Sequence, residues 1–297
     1  MLRCENQTET AKTAQGKTEE TGQRGTMQGS LHLSEGPWKE HLEAAVQACR
    51  EAGRIQLEAF DKPRIIDFKG ETNLVTEVDR ACEEAVHSLL SGAFPSHDFL
   101  MEEGLVSQTG SPYLWVVDPL DGTTNYAHRY PRFCCSIALR YEGRTLLGVV
   151  FDPLLGELFS AVERGGAFLN GRRIRTSRED RLIRSLVATG FPYDIKKARD
   201  KNLRKFARLL PLVRSIRRSG SAALDLCYLA AGRLDGYWVL KLAPWDAAAG
   251  ILIVEEAGGA VTDLRGAPTH LYTEDLVASN GRIQDSLLAI LSGRVGS

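Results

Sequence analysis

The sequence predicts a layered α/β fold. Two amphipathic helix patterns come first, and a dense run of strand patterns follows between residues 99 and 162. From residue 185 onward, short apolar strands alternate with helices. Because each such helix or strand must bury one face, the mixture stacks as layers of helix and sheet around a core. The 297 residues are enough to bury a core of this kind.

The first half is predicted to hold two helices and a series of strands. The first helix spans 37–60, because Pro37 suits the first helical position and apolar residues recur on one face. Residues 67–75 are polar and indicate a loop or hairpin, and a second helix follows from Thr76 and ends before Pro95. Predicted strands lie at 99–101, 113–118, 133–141, 145–151 and 157–162.

The second half alternates between the two kinds of element. Predicted strands lie at 185–190, 234–240, 260–262 and 276–278, and predicted helices at 196–210, 221–231, 246–257 and 283–291. The helix at 196–210 is strongly basic, whereas the helix at 221–231 is rich in Ala and Leu. We expect residues 35–297 to form one domain of two tightly joined α+β lobes, with a break near residue 185.

Residues 1–34 differ from the rest in composition. They carry few large apolar side chains, so we expect a disordered N-terminal tail. The segment lacks the apolar centre of a secretory signal, and its acidic residues do not suit a mitochondrial presequence. A cytoplasmic location is therefore expected.

Charge and cysteine usage narrow the class of protein. The formal net charge is -1, which gives no global field to attract nucleic acid or an anionic membrane. No apolar stretch reaches the roughly 18 residues that span a bilayer. The six cysteines are scattered without metal-ligand spacing, which favours reduced thiols. Adjacent Cys134 and Cys135 must face opposite sides of a strand.

The most informative motif is Asp118-Pro119-Leu120-Asp121-Gly122-Thr123. It follows the apolar run 113–117, so two carboxylates leave the end of a predicted strand together. Proline stiffens the link between them, and glycine allows a sharp turn close to a ligand. A simple turn does not need two acids around a rigid Pro-Leu pair. Two hard oxygen ligands beside a Gly-Thr turn suit a magnesium-phosphate site.

Other acids stand at similar places along the chain. They are Asp79, the pair Glu102-Glu103, and Asp246. Taken singly, each has a structural explanation: a capping box from Thr76 to Asp79, a solvated turn at the glutamates, and a helix N-cap at Asp246.

The chain resembles the inositol monophosphatase family of magnesium-dependent, lithium-sensitive phosphomonoesterases. The resemblance runs from about Trp38 to Leu291. Its two most specific motifs are Trp115-Val-Val-Asp-Pro-Leu-Asp-Gly-Thr-Thr-Asn125 and Trp245-Asp-Ala-Ala-Ala-Gly250. The resemblance implies an α-β-α-β-α sandwich of the inositol monophosphatase and sugar phosphatase type, and it implies pairing into a homodimer.

The resemblance also assigns roles to single residues. It implies two Mg²⁺ ions, with a looser third, held by Glu102, Asp118, the Leu120 carbonyl, Asp121 and Asp246. Thr123 and Glu102 would orient the attacking water, while Asp79 and Lys69 would lie near the third ion. The substrate would contact Asp121, Gly122, Thr123 and Ala222. Two divalent ions suit this chemistry, because they neutralise a phosphate dianion and generate a nucleophile at neutral pH.

The implied reaction is hydrolysis of a small phosphomonoester, with myo-inositol monophosphate as the first candidate. The family's inositol-specific members carry a hydroxyl-binding Glu where this chain has Val239, so we expect relaxed or altered substrate choice. Related phosphatases of 3′-phosphoadenosine 5′-phosphate, fructose 1,6-bisphosphate or histidinol phosphate stay open as alternatives. Haloacid-dehalogenase phosphatases also use Asp-Gly-Thr after a strand, but their two acids are one residue apart. In this chain two residues separate Asp118 from Asp121, which disfavours that class.

A role of another class stays open beside catalysis. Residues 196–218 hold ten Lys and Arg side chains, which would suit RNA or a partner in the transcription machinery. A solvated helix face is the plainer explanation, because Phe206 is the only aromatic residue there for base stacking.

Overall fold

The computed structural model describes residues 36–62, 66–68, 74–107, 109–191 and 201–293. The predicted tail and Lys69 therefore lie outside the described residues. The described residues all belong to one compact unit. In the part of the chain that is described, no helix is both long and apolar enough to cross a membrane.

Seven α-helices are described in these ranges. They are α1 Lys39–Phe60, α2 Glu77–Ala93, α3 Thr123–Ala127, α4 Lys201–Leu209, α5 Ala222–Ala230, α6 Pro244–Glu256 and α7 Gln284–Ser292. Two predicted starts are wrong. Helix α1 begins after Pro37, with Trp38 as its N-cap, and α6 begins at Pro244, so Asp246 lies in the first turn and is not the N-cap.

The strands form three sheets. In chain order they are β1 Ile66–Phe68, β2 Leu74–Thr76, β3 Asp98–Met101, β4 Val106–Ser107, β5 Tyr113–Asp121, β6 Cys134–Tyr141, β7 Arg144–Asp152, β8 Glu157–Val162, β9 Gly166–Leu169, β10 Arg172–Arg173, β11 Leu186–Thr189, β12 Ser215–Arg217, β13 Gly236–Val239, β14 Ala260–Thr262 and β15 Leu276–Ser279. β1 and β2 pair as the predicted hairpin.

The two larger sheets have different topologies. The eight-stranded sheet has the order β10-β9-β8-β7-β6-β5-β3-β4 and is antiparallel except where β3 meets β5. The five-stranded sheet has the order β12-β11-β13-β15-β14, and β11, β12 and β13 run parallel.

Alternate residues of the strands point to opposite faces of the two larger sheets and pack into three separate hydrophobic cores. Helices cover these faces, so helix and sheet alternate in five layers. Trp115 and Val117 of β5 face α1 and α2, whereas Val116 faces α5 and α6. On the second sheet, Tyr237 also packs with α5 and α6, and Trp238 packs with α4 and α7. The α-β-α-β-α sandwich is therefore confirmed. Cys134 and Cys135 follow the same alternation and enter different cores, as predicted.

Candidate active site

The motif Asp118 to Asp121 lies at the end of β5, in the middle of the fold. Asp118 pairs with Ser136 of β6 and Asp121 pairs with Cys134, so β5 carries one extra residue across this interval. In a regular strand, residues three apart point to opposite faces. The bulge cancels that alternation and turns both carboxylates towards α5 and α6.

Backbone groups fix the shape of the bulge. The Leu120 N–H donates to Oδ1 of Asp118 at 3.0 Å. On the helix side, Nε2 of Gln56 donates to the Pro119 carbonyl at 2.8 Å, and the Tyr126 hydroxyl donates to the Gln56 carbonyl at 2.7 Å. Helix α1 therefore fixes the position of the Pro119-Leu120 segment through Gln56.

Asp121 is oriented by the start of α5. Its Oδ2 accepts the Ser221 hydroxyl at 2.6 Å and the Ala223 N–H at 2.8 Å. Ser221 is also the N-cap of α5 and accepts from the Leu224 N–H. These bonds fix the direction of the Asp121 carboxylate.

Asp246 and Glu102 complete the acidic cluster. Asp246 accepts the Ala243 N–H through Oδ2 at 2.8 Å, which fixes it in the first turn of α6. Glu102 follows β3, and its N–H donates to the Val117 carbonyl on the neighbouring strand at 3.2 Å. Its carboxyl group lies near that of Asp118 and contributes to raising the pKa of Asp118. The sequence motifs predicted as one site thus meet in space.

Asp79 and Thr123 form a second part of the same site. The Thr123 hydroxyl lies 2.9 Å from Oδ1 of Asp79 and 3.1 Å from the Leu120 carbonyl. All three residues are buried. The predicted capping box would need the Thr76 side chain, which lies outside the described residues, whereas Asp79 is bonded to Thr123.

The acidic cluster is electrostatically strained without a counter-charge. Burial raises the pKa of Asp118 well above its usual range, and repulsion from Glu102, Asp121 and Asp246 raises it further. Burial and the same kind of repulsion raise the pKa of Asp246. A divalent cation would relieve this repulsion and hold the carboxylates ionised. The donor set, all carboxylate and carbonyl oxygen, fits Mg²⁺.

The carboxylates are close but not yet arranged around a cation. Among the described residues, no three acidic, histidine or cysteine side chains stand in a ready-made metal geometry. The backbone N–H groups of Leu120, Ala223 and Ala243 each hold one oxygen of Asp118, Asp121 and Asp246, respectively.

The backbone on the predicted phosphate side turns at Gly122. This residue has φ +96°, and a Cβ there would lie 2.9 Å from the Arg132 carbonyl oxygen. Only glycine suits both conditions. Helix α3, which follows, has five residues. The backbone amides of Gly122 and Thr123, more than a helix dipole, are thus the groups that an anion would meet here.

A further network ties this turn to α5. The Asn125 side-chain amide donates to the carbonyls of Arg132 and Ser219, each at 2.8 Å. Asp225 accepts from the Ser219 hydroxyl at 2.6 Å and from the Arg132 guanidinium at 2.8 Å. Ala222, predicted to contact the substrate, lies half-buried at the end of this network.

Two positioning residues were missed at the level of sequence. Gln56 lies on the apolar face of α1, and Glu83 lies on the buried face of α2, where it accepts the N–H groups of Glu103 at 2.8 Å and Leu105 at 3.2 Å. Each could have been found from the sequence as a polar residue on the otherwise apolar face of a predicted helix. Such a residue must find a buried partner.

Together, the layered fold and the acidic cluster at the ends of β3 and β5 and at the start of α6 are those of a phosphomonoesterase. A sequence model described as "Inositol monophosphatase family" matches residues 38–295. The chain belongs to the inositol monophosphatase family, whose members hydrolyse phosphate monoesters.

Individual relatives agree with this assignment. "Inositol monophosphatase 2" of Solanum lycopersicum is 42% identical and covers 86% of this chain and 98% of its own length. "Nus factor SuhB" of Escherichia coli K12 is also 42% identical, covering 84% of this chain and 94% of its own length. The suhB crystal structure from Bartonella henselae matches with a TM-score of 0.82 at 39% identity, covering 86% of this chain and all of that one.

Proposed function

We propose that the chain hydrolyses a small phosphomonoester with the help of Mg²⁺ held by Glu102, Asp118, Asp121, Asp246 and the Leu120 carbonyl. The convergence of four carboxylates from separate segments, with pKa values of Asp118 and Asp246 raised by burial and mutual repulsion, carries the proposal. When bound, the cations would neutralise the phosphate and activate water.

The protein groups supply orientation. Thr123, bonded to Asp79 and to the Leu120 carbonyl, has a hydroxyl oxygen that can accept from and position a water molecule. Glu102, at the edge of the same cluster, would accept the proton that this water loses. The Gly122 and Thr123 amides would hold phosphate oxygens, so that the phosphorus lies in line with the water.

Release of inorganic phosphate tests the proposal. We expect turnover of myo-inositol 1-phosphate with Mg²⁺, no turnover with EDTA, and inhibition by Li⁺. A panel with 3′-phosphoadenosine 5′-phosphate, fructose 1,6-bisphosphate and histidinol phosphate separates the alternative substrates. Turnover that persists in EDTA would contradict a metal-dependent mechanism. Sedimentation of the purified chain tests the predicted homodimer.

A role in transcription is a second candidate, supported by the relatives named Nus factor SuhB and by one exposed surface. We define the basic surface as Arg204, Arg208, Arg214, Arg217 and Arg218, all of which are exposed. Exposed Leu203, Leu210 and Leu212 lie among them, which suits a protein partner as well as RNA.

Two residues of that segment have structural tasks instead. Lys205 donates to the Leu291 carbonyl at 2.6 Å, and Phe206 packs against Trp238 in the core. A test of RNA or protein binding should therefore reverse Arg204, Arg208 and Arg214 and leave Lys205 in place. Salt-dependent binding that these reversals abolish, with phosphatase activity intact, is the expected result for this role.

A further inference from the structure

Four residues form a closed network that joins the turn after β5 to the start of α5. The Asn125 side-chain amide donates to the carbonyls of Arg132 and Ser219, each at 2.8 Å. Asp225 closes the network, because its Oδ1 accepts the Arg132 guanidinium at 2.8 Å and the Ser219 hydroxyl at 2.6 Å. We call these four residues the Arg132 network.

The Arg132 network is packed against backbone on both sides of the candidate site. On one side, a Cβ on Gly122 would lie 2.9 Å from the Arg132 carbonyl oxygen, so the predicted phosphate turn rests on Arg132. On the other side, a Cβ on Gly220 would lie 2.8 Å from the side-chain amide of the network. Gly220 precedes Ser221, whose hydroxyl bonds Asp121. The phosphate turn and the residue that orients Asp121 therefore share one support.

The ion pair between Arg132 and Asp225 is buried. The Arg132 side chain is 15% exposed and that of Asp225 is 3% exposed. Burial raises the pKa of Asp225 to about 6, and the Arg132 cation limits that rise. Asp225 is therefore ionised at neutral pH, and Arg132 supplies the positive charge that a buried carboxylate requires.

The Tyr228 ring holds the Arg132 guanidinium in place. The guanidinium carbon lies 4.4 Å from the centroid of this ring, and the guanidinium carbon of Arg233 lies 4.6 Å from the same centroid. Arg233 donates to both carboxylate oxygens of Glu157, at 2.5 and 2.6 Å. Two arginines thus share one aromatic ring, and among the described residues only Arg132 is bonded into the network.

We propose that Arg132 is a positioning residue for catalysis, and that its ion pair with Asp225 holds the phosphate turn at a fixed distance from the start of α5. The proposal rests on the proposed phosphatase function. The Gly122 amide lies on one side of this link and the Asp121 carboxylate is oriented from the other, and both must act on the same phosphate. A misplacement of about 1 Å between them can cost up to about a hundredfold in rate.

The test is a double-mutant cycle of Arg132→Met and Asp225→Asn, with kcat measured at saturating Mg²⁺ and myo-inositol 1-phosphate, and with thermal unfolding. Arg132→Met leaves Asp225 buried without its cation, so the melting temperature should fall by about 5 to 10 °C. We expect kcat to fall about tenfold. The double variant leaves no buried charge, so its melting temperature should return to within about 2 °C of the natural chain. Its kcat should stay about tenfold lower, because the link is still open.

Arg233→Met is the matched control. It removes the other arginine from the Tyr228 ring, and among the described residues Arg233 bonds Glu157 and no member of the network, so kcat should be unchanged. The double variant also serves as the test if Arg132→Met does not fold. A kcat that recovers together with the melting temperature would show a structural role only and overturn the proposal, as would an unchanged kcat in Arg132→Met. Absence of phosphate release by the natural chain would instead contradict the proposed function.

Discussion

The Ser221 hydroxyl donates to Oδ2 of Asp121 across 2.6 Å, and this bond links a helix N-cap to the acidic cluster 100 residues earlier in the chain. The same hydroxyl accepts the Leu224 N–H at 3.3 Å. One side chain therefore both starts α5 and fixes the direction of a carboxylate. The fold and the site share the same hydrogen bonds.

Replacing Ser221 should separate these two tasks. Ser221→Ala should lose about 1 kcal/mol of unfolding free energy as a missing N-cap, and about tenfold in kcat because Asp121 can rotate. Ser221→Thr should recover both quantities. Urea unfolding and steady-state kinetics measure them. A Ser221→Ala protein that loses stability but keeps its kcat would show that the hydroxyl serves only the helix.

The acidic residues Asp118 and Asp246 should be indispensable for turnover and dispensable for folding. Asp118→Asn and Asp246→Asn should each lower kcat more than about a hundredfold, beyond what loss of an outer hydrogen bond costs. Without metal, both variants should unfold at the same temperature as the natural chain or higher, because a buried repulsion is removed. Exposed Asp285→Asn is the control and should behave like the natural chain. Normal turnover in either buried variant would refute the ligand assignment.

Thr123 should act through its hydroxyl rather than through its shape. Thr123→Val keeps the volume but removes the bonds to Asp79 and to the Leu120 carbonyl. We expect kcat to fall about 10- to 100-fold with little change in KM. Thr123→Ser should restore most of the rate. A higher KM with an unchanged kcat would instead assign Thr123 to substrate binding.

Stability should depend on pH through a stack of rings that includes two histidines. The rings of His41, Phe94, His97 and Tyr113 stack at successive centroid distances of 4.3, 5.0 and 4.4 Å. Burial, with a smaller contribution from the neighbouring His41, lowers the pKa of His97 from 6.5 to about 4. The folded protein therefore keeps His97 neutral.

The sign of the effect follows from proton uptake. Below pH 6.5 the unfolded chain binds a proton at His97 that the folded chain does not, so the contribution of His97 to stability is complete above 6.5 and is lost as the pH drops towards 4. The slope from this group is at most about 1.4 kcal/mol per pH unit. His97→Phe should flatten the dependence in urea unfolding between about pH 5 and about pH 7. Parallel curves for both proteins would exclude His97 as the cause.

Many helices and strands of this fold could be predicted from the sequence, because the spacing of apolar residues along a short segment differs between the two. The pairing of β1 with β2 is an example: the polar residues 67–75 indicated a loop or hairpin, and Asp67 pairs with Val75. The start of α6 was predicted wrongly, because Asp246 has the right chemistry for an N-cap but bonds backward to Ala243.

Only the part of the candidate site that consecutive residues encode could be predicted. Asp118 and Asp121 could be paired because they stand together in the sequence. The bulge that turns them to one face depends on pairing with β6, which no local pattern reveals. Gln56 and Glu83 were missed because their partners are backbone groups distant in the chain. Only the folded structure shows which carbonyl or amide a buried polar side chain meets.

The central claim is that these carboxylates hold the cations used in hydrolysis, and anomalous scattering tests it most directly. Crystals of the natural chain would be soaked with Mn²⁺ and inorganic phosphate, and an anomalous difference map would be calculated. We predict peaks between Asp118, Asp121 and Asp246, with phosphate at the Gly122 and Thr123 amides, and no peaks in Asp118→Asn crystals. Peaks elsewhere, with the carboxylates turned away from one another, would contradict the account.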